Sequence, residues 1–167
     1  MTKRTLAVVA GVVLMAGAGR MAATAGQDSA ARRQLAAGRL AAADRLQAAG
    51  DLAAARTAVD EAIYLDPRAA RGFALRARLL NAEGRHDRAA AAGLEAAGLD
   101  PDLAAGWREA GRALLGSGDH TRAAECLAMA ILKDRHDAEA YDHLVRVLQL
   151  QGRHDQARAV DAARPRG

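Results

Sequence analysis

One phrase recurs four times at a fixed interval. It reads Gly50-Asp51-Leu52-Ala53-Ala54-Ala55, Gly84-Arg85-His86-Asp87-Arg88-Ala89, Gly118-Asp119-His120-Thr121-Arg122-Ala123 and Gly152-Arg153-His154-Asp155-Gln156-Ala157. Successive glycines lie 34 residues apart, and so do the phrase-final alanines. A period of this length, held through four copies, belongs to helix-turn-helix units that stack into a solenoid. The chain is therefore expected to be all-α.

The spacing of apolar residues places the helices. The first stretch runs from Gln34 to Ala49 and is closed by Gly50, which can take the left-handed conformation that ends a helix. Asp51 caps a second helix, Leu52 to Leu65, with Leu52, Ala55, Val59, Ala62 and Ile63 on one face. Asp66-Pro67 forms the joint to the next copy, with aspartate read as an N-cap and proline as the first helical residue. The second copy then runs from Arg68 to Glu83 and from His86 to Leu99. The third begins at Asp100-Pro101 and carries Leu103, Trp107, Ala110, Gly111 and Leu114 on one face. The fourth follows Asp134-Arg135, and its last helix, His154 to Ala163, is cut short by Arg164-Pro165. Asp161 stands there where the earlier copies have Val59, Gly93 and Leu127, which suits an end that faces water.

A length of 167 residues fits one domain, but aromatics make up only 2% of it and alanine supplies much of the apolar content. Stability must then come from many close contacts between small residues. The net charge of +4 does not point to nucleic acid. Lys3, Arg4 and Arg20 lie in an N-terminal stretch without acids, and setting them aside leaves 21 basic against 20 acidic residues. So balanced a body does not argue for binding a phosphate backbone. The single cysteine, Cys126, is read as a small buried apolar side chain.

Residues 1–25 have the parts of a secretory signal peptide: a basic start at Lys3-Arg4, an apolar run from Leu6 to Ala18, and Ala23-Thr24-Ala25 as a cleavage site. Cleavage is expected after Ala25, with Ala18 as a second candidate. An uncleaved N-terminal membrane anchor is the competing reading, although the run is shorter than the ~20 residues that span a bilayer. Either reading exports the body, and a periplasm is the expected compartment. Residues 26–33 are read as a linker, 34–163 as the repeat domain, and 164–167 as a tail. Within the linker, Asp28 or Ser29 is available to cap the first helix.

The repeats resemble those of the tetratricopeptide repeat (TPR) family. The best copy is Trp107-x-x-Ala110-Gly111-x-x-Leu114 followed by Ala123, Leu127 and Ala130, and Tyr141-x-x-Leu144-Val145-x-x-Leu148 is another good first helix. Ala55, Val59, Ala62 and Pro67 match the later part of the first copy, as Ala89, Ala96 and Pro101 do in the second. Two positions depart: Arg39 replaces a bulky residue, and Gly93 leaves a gap. The resemblance implies a right-handed superhelix of three full repeats plus a truncated fourth, whose first helices line a concave peptide-binding groove. It implies no chemistry by itself.

On that resemblance, Asp44, Arg78, Arg112 and Arg146 form one row along the groove, each 34 residues after the last. Arg71 and Arg108 lie near the same surface, with Asn81 and Gln149 beside them. Arginine forks bind carboxylates bidentately, so the expected partner is a protein or peptide segment of acidic character. The two-carboxylate clamp of some family members is absent, because Leu40, Asp44, Leu75, Ala105 and Glu109 occupy the corresponding places. Trp107 and Tyr141 are read as packing residues.

The histidines do not suggest a metal. His86, His120 and His154 share one repeat position, but equivalent atoms in successive repeats are about 10 Å or more apart, against zinc–ligand distances of about 2.0–2.1 Å. His136 and His143 are two helical turns apart. Neither serine, Ser29 or Ser117, has a base at motif spacing, and no phosphate-binding glycine loop is present. The expected role is an exported, non-enzymatic, cofactor-free adaptor for protein partners in the cell envelope. The alternative is a membrane-anchored module that associates with itself end to end.

Overall fold

The protein is described here by a computed structural model over residues 27–165. The expected signal peptide or anchor lies outside the described residues. Eight helices follow in order: α1 (27–48), α2 (Leu52–Leu65), α3 (Ala70–Ala82), α4 (His86–Leu99), α5 (Ala104–Ser117), α6 (His120–Lys133), α7 (Ala138–Leu150) and α8 (His154–Ala163). They pair as four helix-turn-helix units, the last ending on a helix of only 10 residues. The chain is thus the all-α repeat solenoid that the period predicts. Among the described residues, no helix is long and apolar enough to cross a membrane.

The turn inside each repeat is set by its glycine. Gly50, Gly84, Gly118 and Gly152 have φ of +83°, +72°, +86° and +73°, a region in which a Cβ would be strained. The amide after each glycine bonds back to a carbonyl of the first helix: Asp51 to Leu46 (2.9 Å), Arg85 to Leu80 (2.9 Å), Asp119 to Leu114 (2.9 Å) and Arg153 to Leu148 (2.8 Å). These bonds satisfy carbonyls that a helix end leaves open. Asp51 and Asp119 then cap α2 and α6 through the amides of Ala54 and Arg122. In the other two repeats Arg85 and Arg153 hold that place without a side-chain capping bond.

The joints between repeats differ from the predicted caps. Asp66, Asp100 and Asp134 end the preceding helices, and their carboxylates accept from the amides of Arg68, Asp102 and His136. The amides of Ala69, Leu103 and Asp137 bond back to the same aspartates' carbonyls. Aspartate first and proline second is the favoured opening of such a β-turn, so Pro67 and Pro101 shape the turn and lie outside the helices. The helix read from Arg68 to Glu83 accordingly begins at Ala70, and α7 takes its cap from Asp137, whose carboxylate accepts from the Ala140 amide. The N-terminal boundary also moves. Residues 27–33, read as linker, are already helical, which places Asp28 and Ser29 within α1 rather than at its cap.

The core is built from small residues in register. Ala55, Ala89 and Ala123 share one repeat position, Ala62, Ala96 and Ala130 another, and all six are fully buried. Each contributes little area, about one methyl group's worth, so backbone proximity matters most. Gly93 shows this directly. A Cβ built there would lie 2.6 Å from the Ala110 backbone nitrogen, so the expected gap is instead the point where α4 and α5 touch. The fitting is reciprocal one repeat later: Leu127 fills the Gly93 position, and Gly111 opposite it keeps the space, with a Cβ there only 2.6 Å from Leu127 Cγ. Arg39, the other departure, swings out to pair with Glu61 at 3.0 Å.

These contacts predict opposite outcomes for two glycine-to-alanine changes. Gly93→Ala should destabilise by about 1–3 kcal/mol through overpacking. Gly38→Ala lies in α1 with nothing within 4 Å of the new Cβ, and should stabilise by roughly 0.5–1 kcal/mol. Urea denaturation followed by circular dichroism measures both.

Candidate functional site

The first helices α1, α3, α5 and α7 carry the predicted row, and the structure gives its members different fates. Asp44 on α1 accepts from two arginines of α3: Arg71 Nη2 at 2.5 Å on one oxygen and Arg78 Nη2 at 2.7 Å on the other. Arg112 on α5 approaches Glu109 at 3.7 Å, one helical turn away. Arg146 on α7 is exposed and has no hydrogen-bonding or ionic partner among the described residues. The row is therefore neutralised at the α1 end and open at the α7 end.

Arg108 sits at the centre of a second network. It reaches Asp137 at 2.9 Å, Glu109 at 3.4 Å and Glu139 at 3.4 Å. Burial opposes its charge, but Asp137, Glu109 and Glu139 together outweigh burial and hold its pKa above the usual value. Glu109 itself is only 1% exposed, among the largest fully buried side chains. Its remaining needs are met by the Asn81 amide, which donates to its carboxylate (3.2 Å) and its backbone carbonyl (3.0 Å). A carboxylate this deep requires such partners, because desolvation without them costs several kcal/mol.

Asn81, expected beside the groove, is instead buried with its amide committed to Glu109. Glu109 and Asp137 are structural members that the sequence did not single out as partners of the row. A signal for Glu109 was present, since it interrupts the small-residue face Gly106-x-x-x-Ala110 between two arginines. Trp107 and Tyr141 pack: the indole nitrogen donates to the Pro101 carbonyl at 3.0 Å, and Tyr141 is 6% exposed. His86, His120 and His154 open α4, α6 and α8 in turn. Among the described residues, no group of three histidine, cysteine or acidic side chains is placed to hold a metal.

Between α1, α3 and α5 lies a cleft of about 210 Å³. Ala74, Leu75, Leu103 and Ala105 form its apolar lining, and Asp44, Arg71, Arg78, Arg108 and Glu109 its polar lining. Its three arginines are already paired, Arg71 and Arg78 with Asp44 and Arg108 with Glu109 and Asp137, so the uncommitted part of the lining is the apolar one. A larger, mostly apolar cleft of about 510 Å³ lies on α1 and α2, where Leu35 and Tyr64 are 52% and 86% exposed.

His143 on α7 adds a pH dependence. Burial first, then the Arg112 charge, push its pKa below the ordinary imidazole value; Glu109, Glu139 and Asp142 pull the other way. Below about pH 6.5 the unfolded chain takes up this proton more readily than the folded one, so folding stability falls as pH drops through that window. His143→Gln should flatten that part of the fall, and melting temperatures of both proteins from pH 7 to 5 measure the difference.

No family model matches the sequence, and no curated protein sequence does. Solved structures do. The chain is similar to MamA in its crystal structure, at 17% identity and TM-score 0.67, over 77% of this chain and 75% of that one. It is similar to a thermophilic TPR protein of Thermus thermophilus, at 21% identity and TM-score 0.68, over 77% and 72%. It is also similar to the first TPR of Spaghetti (RPAP3) bound to the HSP90 peptide SRMEEVD, at 15% identity and TM-score 0.67, over 72% and 95%. At these identities the likeness is one of fold, and the fold of this chain is that of the tetratricopeptide repeat.

Proposed function

We propose that this protein is an exported adaptor that holds a segment of a protein partner in its first-helix groove and serves an assembly process in the cell envelope. The observation that carries the reading is the composition of the first helices: the apolar Ala74, Leu75, Leu103 and Ala105 share a cleft with Arg71, Arg78 and Arg108, and Arg112 and Arg146 continue the row on α5 and α7, the last without a counter-ion among the described residues. A segment with aliphatic side chains and a carboxylate matches both parts. The similar RPAP3 domain is solved with a peptide bound. The basic, apolar and Ala-x-Ala parts of residues 1–25 support export to a periplasm. The reading assigns no catalytic step to the chain.

The test is fluorescence anisotropy with two labelled octapeptides of alternating alanine and leucine, one ending in three glutamates and one in three lysines. The acidic probe should bind and weaken as salt rises. The double variant Arg112→Glu, Arg146→Glu should weaken it by about tenfold or more while remaining helical. Equal binding of both probes, or an unaffected double variant, would rule out the groove reading.

The exposed Leu35 and Tyr64 favour a second reading, end-to-end self-association through the α1–α2 face. Sedimentation velocity of the full chain over a dilution series should then show a dimer that Tyr64→Lys abolishes. A monomer at every concentration would eliminate this reading.

A further inference from the structure

We propose that Asp44 is a built-in occupant of a two-arginine carboxylate cradle, so that anion recognition in the groove falls to Arg112 and Arg146. The inference rests on the groove reading and adds a direction to it. In the 34-residue register Asp44 stands where the later repeats place Arg78, Arg112 and Arg146, a single charge reversal at the start of an arginine row. Its two oxygens take one guanidinium each, Arg71 at 2.5 Å and Arg78 at 2.7 Å. That is the geometry an incoming carboxylate would need, and the position is filled.

Asp44 is not locked away. Its side chain is 32% exposed and lines the cleft, as do Arg71 and Arg78, so a ligand competes with it in contact with solvent. The competition is unequal because Asp44 is tethered to the solenoid. A tethered group acts at an effective concentration of about millimolar or more, which a dilute peptide does not reach. At the other end the balance reverses. Glu109 is shared with Arg108 and Asn81 and stands 3.7 Å from Arg112, and Arg146 has no partner among the described residues. A bound segment therefore lies with its acidic end across α5 and α7 and its neutral part over Ala74, Leu75 and Leu103.

The test uses the full chain and the same two octapeptides, with circular dichroism confirming the fold of each variant. Asp44→Ala should tighten the acidic probe by about tenfold, and adding Arg71→Ala with Arg78→Ala should abolish that gain. Asp60→Ala, which removes an equal charge from the Arg76 pair outside the groove, should leave affinity unchanged. In the unaltered background Arg78→Ala should matter less than Arg146→Ala. If the acidic probe binds the native protein but Asp44→Ala changes nothing, or Arg78→Ala weakens it as much as Arg146→Ala, the cradle is not blocked and this inference fails while the groove reading stands. Binding only after Asp44→Ala would show the cradle to be occupied but would overturn the assignment of recognition to Arg112 and Arg146. If neither protein binds the acidic probe, the groove reading itself falls, and this inference with it.

Discussion

Helix backbones in this chain come into direct contact, and the architecture depends on that closeness. With few aromatics to fill space, the second helices of the first three repeats present alanine at two fixed positions, and Gly72, Gly93, Gly106 and Gly111 sit where a neighbouring helix packs closely. Gly93 against Ala110 and Gly111 against Leu127 are two solutions of one packing problem: the space that one helix yields, the next one takes. Such a core gains little from each residue and much from correct register. Register in turn is held by the four glycine-closed turns, whose left-handed φ lets the chain reverse within two residues.

The same closeness shapes the charges. Twenty-four cationic side chains and twenty acidic ones nearly balance, and neighbours on a helix could pair within it. On the first-helix side they instead interlock across repeats: Asp44 with α3, and Glu109 and Asp137 with Arg108. Glu109 is the most constrained of these groups. It occupies a core position, and its carboxylate is tolerable there only because Asn81 and two arginines converge on it. Through Asn81 it ties α3 to α5.

Much of the fold was legible in the residues alone. Periodicity named the helix pairs, and three second helices, α2, α4 and α8, end where the pattern says they should. The joints were harder to read. Asp-Pro serves equally well as a cap with a first helical residue or as the opening of a β-turn, and local chemistry cannot choose between the two. Three residues of turn before Ala70 settle it, because the chain must reverse to stack the next repeat. The helical extension at 27–33 carries no sequence signal for a related reason: it faces solvent throughout, so no apolar period marks it.

The candidate site divides the same way. The sequence by itself determined the register, and with it which arginines share a row, because a repeat position is a property of spacing alone. It determined the left-handed glycines and the small-residue core for the same reason. Only the tertiary structure decided which of those arginines are already engaged. Asp44 meets Arg71 and Arg78 across 27 and 34 residues, and Asn81 meets Glu109 across 28. Such pairings depend on the angle and distance at which one helix crosses the next. Ion pairs act over a few ångströms, so a small change in that crossing separates an occupied arginine from a free one.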